Sequence, residues 1–136
     1  MRLELTKKSE LTFQAVGVLA RSPDSLVSGP VIASSLSIST DYLATVMRPL
    51  SKAGWVRAST GPNGGYRLSS DLSTHSILDL IELVEGVVDR NSCMHGDLLR
   101  PVQKQCALHE PWMRAREALL KELAAESLAE VLDSQS

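Results

Sequence analysis

The stretch from Cys93 to His109, CMHGDLLRPVQKQCALH, holds both cysteines of the chain and two of its three histidines. Thiolate and imidazole are the donor types that hold iron and zinc, and a thiol pair can also close reversibly into a disulfide. Three chemistries beyond a pair of plain buried thiols are therefore open: a metal or cluster site, a Cys93–Cys106 redox switch, and nucleophilic catalysis. Zinc held by Cys93, His95, Cys106 and His109 would need a Cys-x-His-x₁₀-Cys-x₂-His spacing, which is not a standard one. Catalysis by Cys106 with His109 as base would need a third orienting group and an oxyanion site, and neither is visible in the sequence. A thiol oxidoreductase would more often carry Cys-x-x-Cys. The remaining histidine, His75, stands alone before an apolar run and reads as a surface residue.

The composition limits what kind of protein positions this segment. A chain of 136 residues with 43% apolar residues suits one domain, or one domain with a helical extension. No apolar run approaches the roughly 18 residues of a membrane span, and the charged start, Met1–Glu10, has no apolar signal core. These features predict a cytoplasmic protein, with no membrane partner. The net charge of −2 hides an asymmetry. Through Leu68, eight lysines and arginines face four carboxylates, whereas from Ser69 onward six face twelve. A basic first half suits a polyanion-binding module.

The elements follow from periodicity and punctuation. A first helix over about Thr6–Ala20 places Leu11, Ala15, Val18 and Leu19 on one face and stops at Ser22-Pro23-Asp24. A second starts at Ser28-Gly29-Pro30 and buries Ile32, Ala33 and Leu36, and Ser37-Ile38-Ser39 makes a tight link to a third. On that third helix Leu43, Val46, Met47 and Leu50 form one apolar stripe, with Asp41, Thr45, Arg48 and Lys52 opposite and Pro49 expected to kink it. Trp55–Ser59 and Tyr66–Ser69 read as a hairpin whose turn, TGPNGG, takes positive φ from Gly64 and Gly65. Ser76-Ile77-Leu78-Asp79 opens a fourth helix that ends at Gly86. Glu110-Pro111-Trp112 opens a fifth, with Trp112, Ala115, Leu119 and Leu123 on one stripe, and a short helix follows Ser127.

Two short helices joined tightly, the second with a polar outer face, and a hairpin after them describe a winged helix-turn-helix. Its third helix would enter the major groove. Thr45 and Asp41 would exchange hydrogen bonds with bases, Tyr42 would reach a phosphate, and Arg48 and Lys52 would neutralise backbone charge. In the wing, Gly61, Gly64 and Gly65 would let backbone approach a phosphate, and Asn63 would reach the minor groove. One domain alone would bind weakly, so a homodimer reading two half-sites of a double-stranded operator is expected, with the Trp112–Leu123 stripe as its seam. A dimeric scaffold that uses the same fold to bind protein is the competing class, and it would lack the steep salt dependence of phosphate contacts.

LTKKSELTFQAVGVLA, IASSLSISTDYLATVMRPLSKAGWVRASTGPNGGYRLS, SILDLIELVEG and CALHEPW resemble the Rrf2 family, the IscR/NsrR-like winged-helix transcriptional regulators, over nearly the whole chain. The resemblance implies a cytoplasmic homodimer with a long crossing dimer helix. It adds Ser39, Thr40, Arg57, Ser59 and Thr60 to the DNA-facing set. Thr60 departs from the pattern, standing where many relatives carry an arginine placed for the minor groove. Cluster-binding relatives hold iron with three cysteines in this segment. Cys93 and Cys106 resemble the outer two, the middle one is absent, His109 resembles a C-x-x-H ligand, and Glu10 resembles an acidic ligand given by the partner's first helix. The resemblance thus implies a labile 2Fe–2S cluster on Cys93, Cys106, His109 and Glu10, with His95 as substitute for either of the last two.

The expected protein is mainly α with a small β-hairpin wing. It has a winged helix-turn-helix over 1–72, and a sensor loop (87–110) with a helical dimerisation region over 73–136. The expected function is a DNA-binding repressor, not an enzyme, that senses redox state, iron–sulfur status or a reactive small molecule. The alternative is a cluster-free regulator with a Cys93–Cys106 thiol switch or a small-molecule ligand.

Overall fold

The computed structural model describes residues 1–92 and 107–135. Cys93, His95 and Cys106 therefore lie outside the described residues. The order is α1 (Lys7–Ala20), α2 (Gly29–Leu36), α3 (Thr40–Lys52), β1 (Val56–Ser59), β2 (Gly65–Leu68), a 3₁₀ turn (Leu72–Thr74), α4 (Ile77–Glu85), α5 (His109–Ala125) and α6 (Leu128–Ser134).

Hydroxyl caps set most of these boundaries. Thr6, Ser28, Ser39, Ser76 and Ser127 each accept the backbone N–H three residues on, at the starts of α1, α2, α3, α4 and α6. Ser76 with Asp79, and Ser127 with Glu130, complete reciprocal capping boxes. The link between α2 and α3 is tight because Ser37 takes left-handed backbone, φ 57°, and its N–H returns to the end of α2. The third helix runs through Pro49 to Lys52. Proline there removes the N–H that would otherwise donate to the Thr45 carbonyl.

The core forms where α1, α2, α3 and α4 meet. The expected α3 stripe, Leu43, Val46, Met47 and Leu50, is buried in full, as are Ile32, Ala33 and Leu36 of α2. On α1, Leu11, Ala15 and Leu19 are buried and Val18 packs at the edge, while Val16, which the sequence reading left out, is fully enclosed. The end of the chain folds back onto this core. Leu128 is fully buried, its N–H donates to the His75 carbonyl at 2.8 Å, and Ser127 pairs with Ser76. His75, expected at the surface, is half-buried: it stacks on Trp55 with centroids 4.0 Å apart and meets the Ser70 hydroxyl at 2.6 Å.

The wing is a two-stranded antiparallel hairpin with Val56 opposite Leu68 and Ser59 opposite Gly65. Val27 joins it by a bridge to Tyr66, with hydrogen bonds of 2.8 and 2.9 Å in both directions. Positive φ in the turn falls on Gly61, φ 97°, and, as expected, on Gly65, φ 159°, but not on Gly64. Gly64 and Gly65 are required for space: a Cβ on Gly64 would lie 2.2 Å from the Ser59 carbonyl oxygen, and one on Gly65 would lie 2.3 Å from that of Val27.

Two stability measurements follow. Gly65→Ala should separate the wing from Val27 and cost about 1–3 kcal/mol, the usual range for forced overpacking, seen as a lower melting temperature. Leu128→Ala should cost about 2–5 kcal/mol, as for a leucine in a closed core. A loss below about 1 kcal/mol would mean that α6 is peripheral to the core.

Candidate nucleic-acid interface

Burying the α3 stripe turns the other side of that helix outward. Asp41, Arg48 and Lys52 are exposed, Tyr42 is 40% exposed, and Thr45 is half-buried. Ser39, whose hydroxyl caps the helix through the Tyr42 N–H at 3.1 Å, and Thr40 are exposed at its start. In the wing Arg57, Ser59, Thr60, Gly61 and Asn63 are exposed and Gly64 is half-exposed. Gly65 is buried against the Val27 backbone, so its missing side chain serves packing.

Two basic residues that the sequence reading left out belong to this surface. Lys8 of α1 joins Thr45, Arg48, Pro49, Lys52, Ala53 and Leu83 around an open cleft of roughly 340 Å³. Three cations thus converge between α1, α3 and α4. Arg67 of β2 lies directly opposite Arg57 of β1, and both are exposed. Like charges facing each other across a strand pair are destabilising in isolation. The described ion pairs are Arg2–Glu4, Arg90–Glu82 and Arg114–Glu110, so none of Lys8, Arg48, Lys52, Arg57 and Arg67 has a carboxylate partner among the described residues. Alternation in the hairpin could have revealed Arg67. Lys8 could not be found this way, because its neighbours come from helices far along the chain.

Around the cysteine segment the described residues show its two flanks. On the first, Glu85 ends α4 and accepts the hydroxyls of Thr6, at 3.1 Å, and of fully buried Ser9. Glu82 accepts the Val88 N–H at 2.9 Å and lies 3.9 Å from Arg90. Asp89 accepts the N–H groups of Asn91 and Ser92, which hold its carboxyl below the usual range, with a smaller effect from Arg116. On the second flank, His109 opens α5, half-buried. Leu108 stands at the cap position of α5, which has no side-chain cap. Glu10 is exposed on α1 and accepts a hydrogen bond from Gln14 at 3.3 Å. Among the described residues no three His, Cys, Asp or Glu side chains converge as a metal site.

The expected α5 seam is partly open. Ala115 is exposed and Leu119 is 44% exposed, while Trp112 and Leu123 are half-buried. The stripe that faces the rest of the chain is His109, Met113, Arg116 and Leu120, about a quarter turn away at 100° per residue. Among the described residues no helix is long and apolar enough to cross a membrane.

Comparison with known proteins agrees with this geometry. The family model of Rrf2, described as iron-dependent transcriptional regulators, matches residues 5–134. BadM of Rhodopseudomonas palustris, described as an HTH-type transcriptional regulator, is 31% identical over 139 residues, covering 99% of this chain and 86% of its own. IscR of Vibrio vulnificus, also an HTH-type transcriptional regulator, is 35% identical over 112 residues, 81% of this chain and 66% of its own. Among solved structures, CymR, the global cysteine regulator of B. subtilis, superposes with a TM-score of 0.80 at 25% identity over 98% of both chains. The fold, the outward basic surface and these likenesses together place the chain in the Rrf2 family of winged-helix transcriptional regulators.

Proposed function

We propose that the chain acts as a homodimer on a double-stranded operator and that the Cys93–His109 segment sets its DNA affinity. The observation that carries the DNA interface is the group of cations that have no carboxylate partner among the described residues. Lys8, Arg48 and Lys52 around one cleft, with Arg57 beside Arg67 in the wing, repel one another until a polyanion neutralises them. In this reading α3 lies in the major groove. Thr45 and Asp41 read base edges, Ser39, Thr40 and Tyr42 serve the backbone at the helix start, and Arg48, Lys52 and Lys8 hold phosphates. Ser59, Thr60, Gly61, Asn63 and Gly64 present the wing, and Arg57 with Arg67 supplies the charge that Thr60 lacks. The half-open stripe Trp112, Ala115, Leu119 and Leu123 supports α5 as the dimer seam, because it is apolar and distinct from the stripe used within the chain.

The sensing half of the proposal rests on donor chemistry. Cys93, Cys106, His109 and Glu10 are a set that fits an iron–sulfur cluster, with His95 as a substitute. The His109 side chain makes no hydrogen bond among the described residues, and the N-terminus of α5 favours negative charge beside it. A bound cluster would supply a redox-responsive group whose loss changes the ligation of Cys106 and His109. These two residues lead directly into α5, so the segment and the proposed seam are one continuous piece of chain. A ligand there changes DNA affinity only if it favours one arrangement of the dimer.

Fluorescence anisotropy on duplexes selected from a random pool tests the DNA reading. Affinity should fall by about tenfold or more between 50 and 200 mM salt. Arg48→Ala and Lys8→Ala should weaken binding to all duplexes and each reduce the salt slope by about 1, whereas Thr45→Ala should change the preferred sequence. If none of the three alters binding, the interface lies elsewhere. Anaerobic purification with iron and sulfide assays tests the cluster: a coloured protein is expected, bleached by Cys106→Ala. A protein that stays colourless after reconstitution would leave the Cys93–Cys106 thiol pair as the sensing chemistry.

A further inference from the structure

Arg116 has a use that the DNA interface does not explain. It lies on the inward stripe of α5, half-buried, two turns beyond His109. Its guanidinium donates through Nη1 to the Ser92 carbonyl at 2.7 Å and through Nη2 to the Arg90 carbonyl, and it touches Met113 Sδ at 3.1 Å. Cys93 directly follows Ser92 in the chain. One fork of donors therefore holds two carbonyls of the segment that leads into the cysteines, with Asp89 completing the turn by accepting the N–H groups of Asn91 and Ser92. Arg116 has no carboxylate partner within ion-pair distance among the described residues, so the grip is on backbone.

The arrangement makes a mechanical link. A helix is stiff, and seven residues along it span about 10 Å. His109 and Arg116 are thus fixed relative to each other, one directly after the cysteine segment and the other holding its start. Both flanks of that segment are fastened to the same face of α5. We propose that Arg116 is the positioning residue that carries a change at Cys93 into α5, so that DNA affinity depends on the state of the two thiols through this guanidinium. The inference rests on the reading of this segment as the sensor.

Alkylation gives a defined perturbation, because Cys93 and Cys106 are the only cysteines of the chain. The metal-free full-length protein is treated with N-ethylmaleimide, and the ratio of Kd for a selected duplex after and before treatment is measured. For the unsubstituted chain the ratio should be about tenfold, within the usual span of coupling between sites. In Arg116→Ala the ratio should fall towards one, while the untreated Kd stays within about threefold. Arg116→Lys keeps the charge and the stem but cannot fork across two carbonyls. It should keep the melting temperature and still lose the response, which separates coupling from folding should the alanine variant be unstable. A tenfold response retained in both variants would overturn the role of Arg116 and leave the sensor reading intact. A ratio of one in the unsubstituted chain would overturn the sensor reading and this inference with it.

Discussion

Burial of one side of α3 is the constraint on which the rest of the molecule depends. Leu43, Val46, Met47 and Leu50 must leave water together, and each would forfeit about 1.5–3 kcal/mol if exposed. They do so against α1, α2, α4 and β1. Because the helix repeat fixes the angle between residues, that burial forces Asp41, Thr45, Arg48 and Lys52 to the opposite side. The polar face of α3 is thus a consequence of packing, and its rigidity comes from the core behind it.

The same core positions the other basic residues. Thr12 of α1 is fully buried, its hydroxyl donating to the Lys8 carbonyl at 2.8 Å, and Ser9 is held by Glu85. These contacts fix the start of α1 beside α4 and bring Lys8 to the cleft it shares with Arg48 and Lys52. The wing is held by Val27, a residue of the α1–α2 connection, through a bridge that leaves no room for a side chain on Gly65. Repulsion between unpaired cations is tolerated because these anchors are strong and the cations remain in water, where screening is effective.

The α4–α5 region follows a different logic. Its polar side chains bind backbone: Glu82 takes the Val88 N–H, Asp89 takes those of Asn91 and Ser92, and Arg116 takes two carbonyls. Such bonds depend on geometry and involve little apolar burial. Apart from Leu120, the described α5 side chains are half-buried or exposed. Contacts of this kind open at lower cost than a closed apolar core does.

The sequence by itself determined the helices, their caps, the hairpin and the apolar faces, because each depends on residues within a few positions of one another. The α3 stripe, the Ser76 capping box and the polar outer face of α3 were legible for that reason, and so was the family. Only the tertiary structure decided what long-range contact brings together. Lys8 joins Arg48 and Lys52 across helices more than thirty residues apart, and α6 returns to the core through Leu128. His75 stacks on Trp55 and is half-buried, and Gly64 is needed for clearance instead of handedness. Arg116 reaches carbonyls twenty-four and twenty-six positions back in the chain. No local pattern encodes these pairings, because backbone carbonyls carry no sequence signature and a close approach is visible only once both partners are placed.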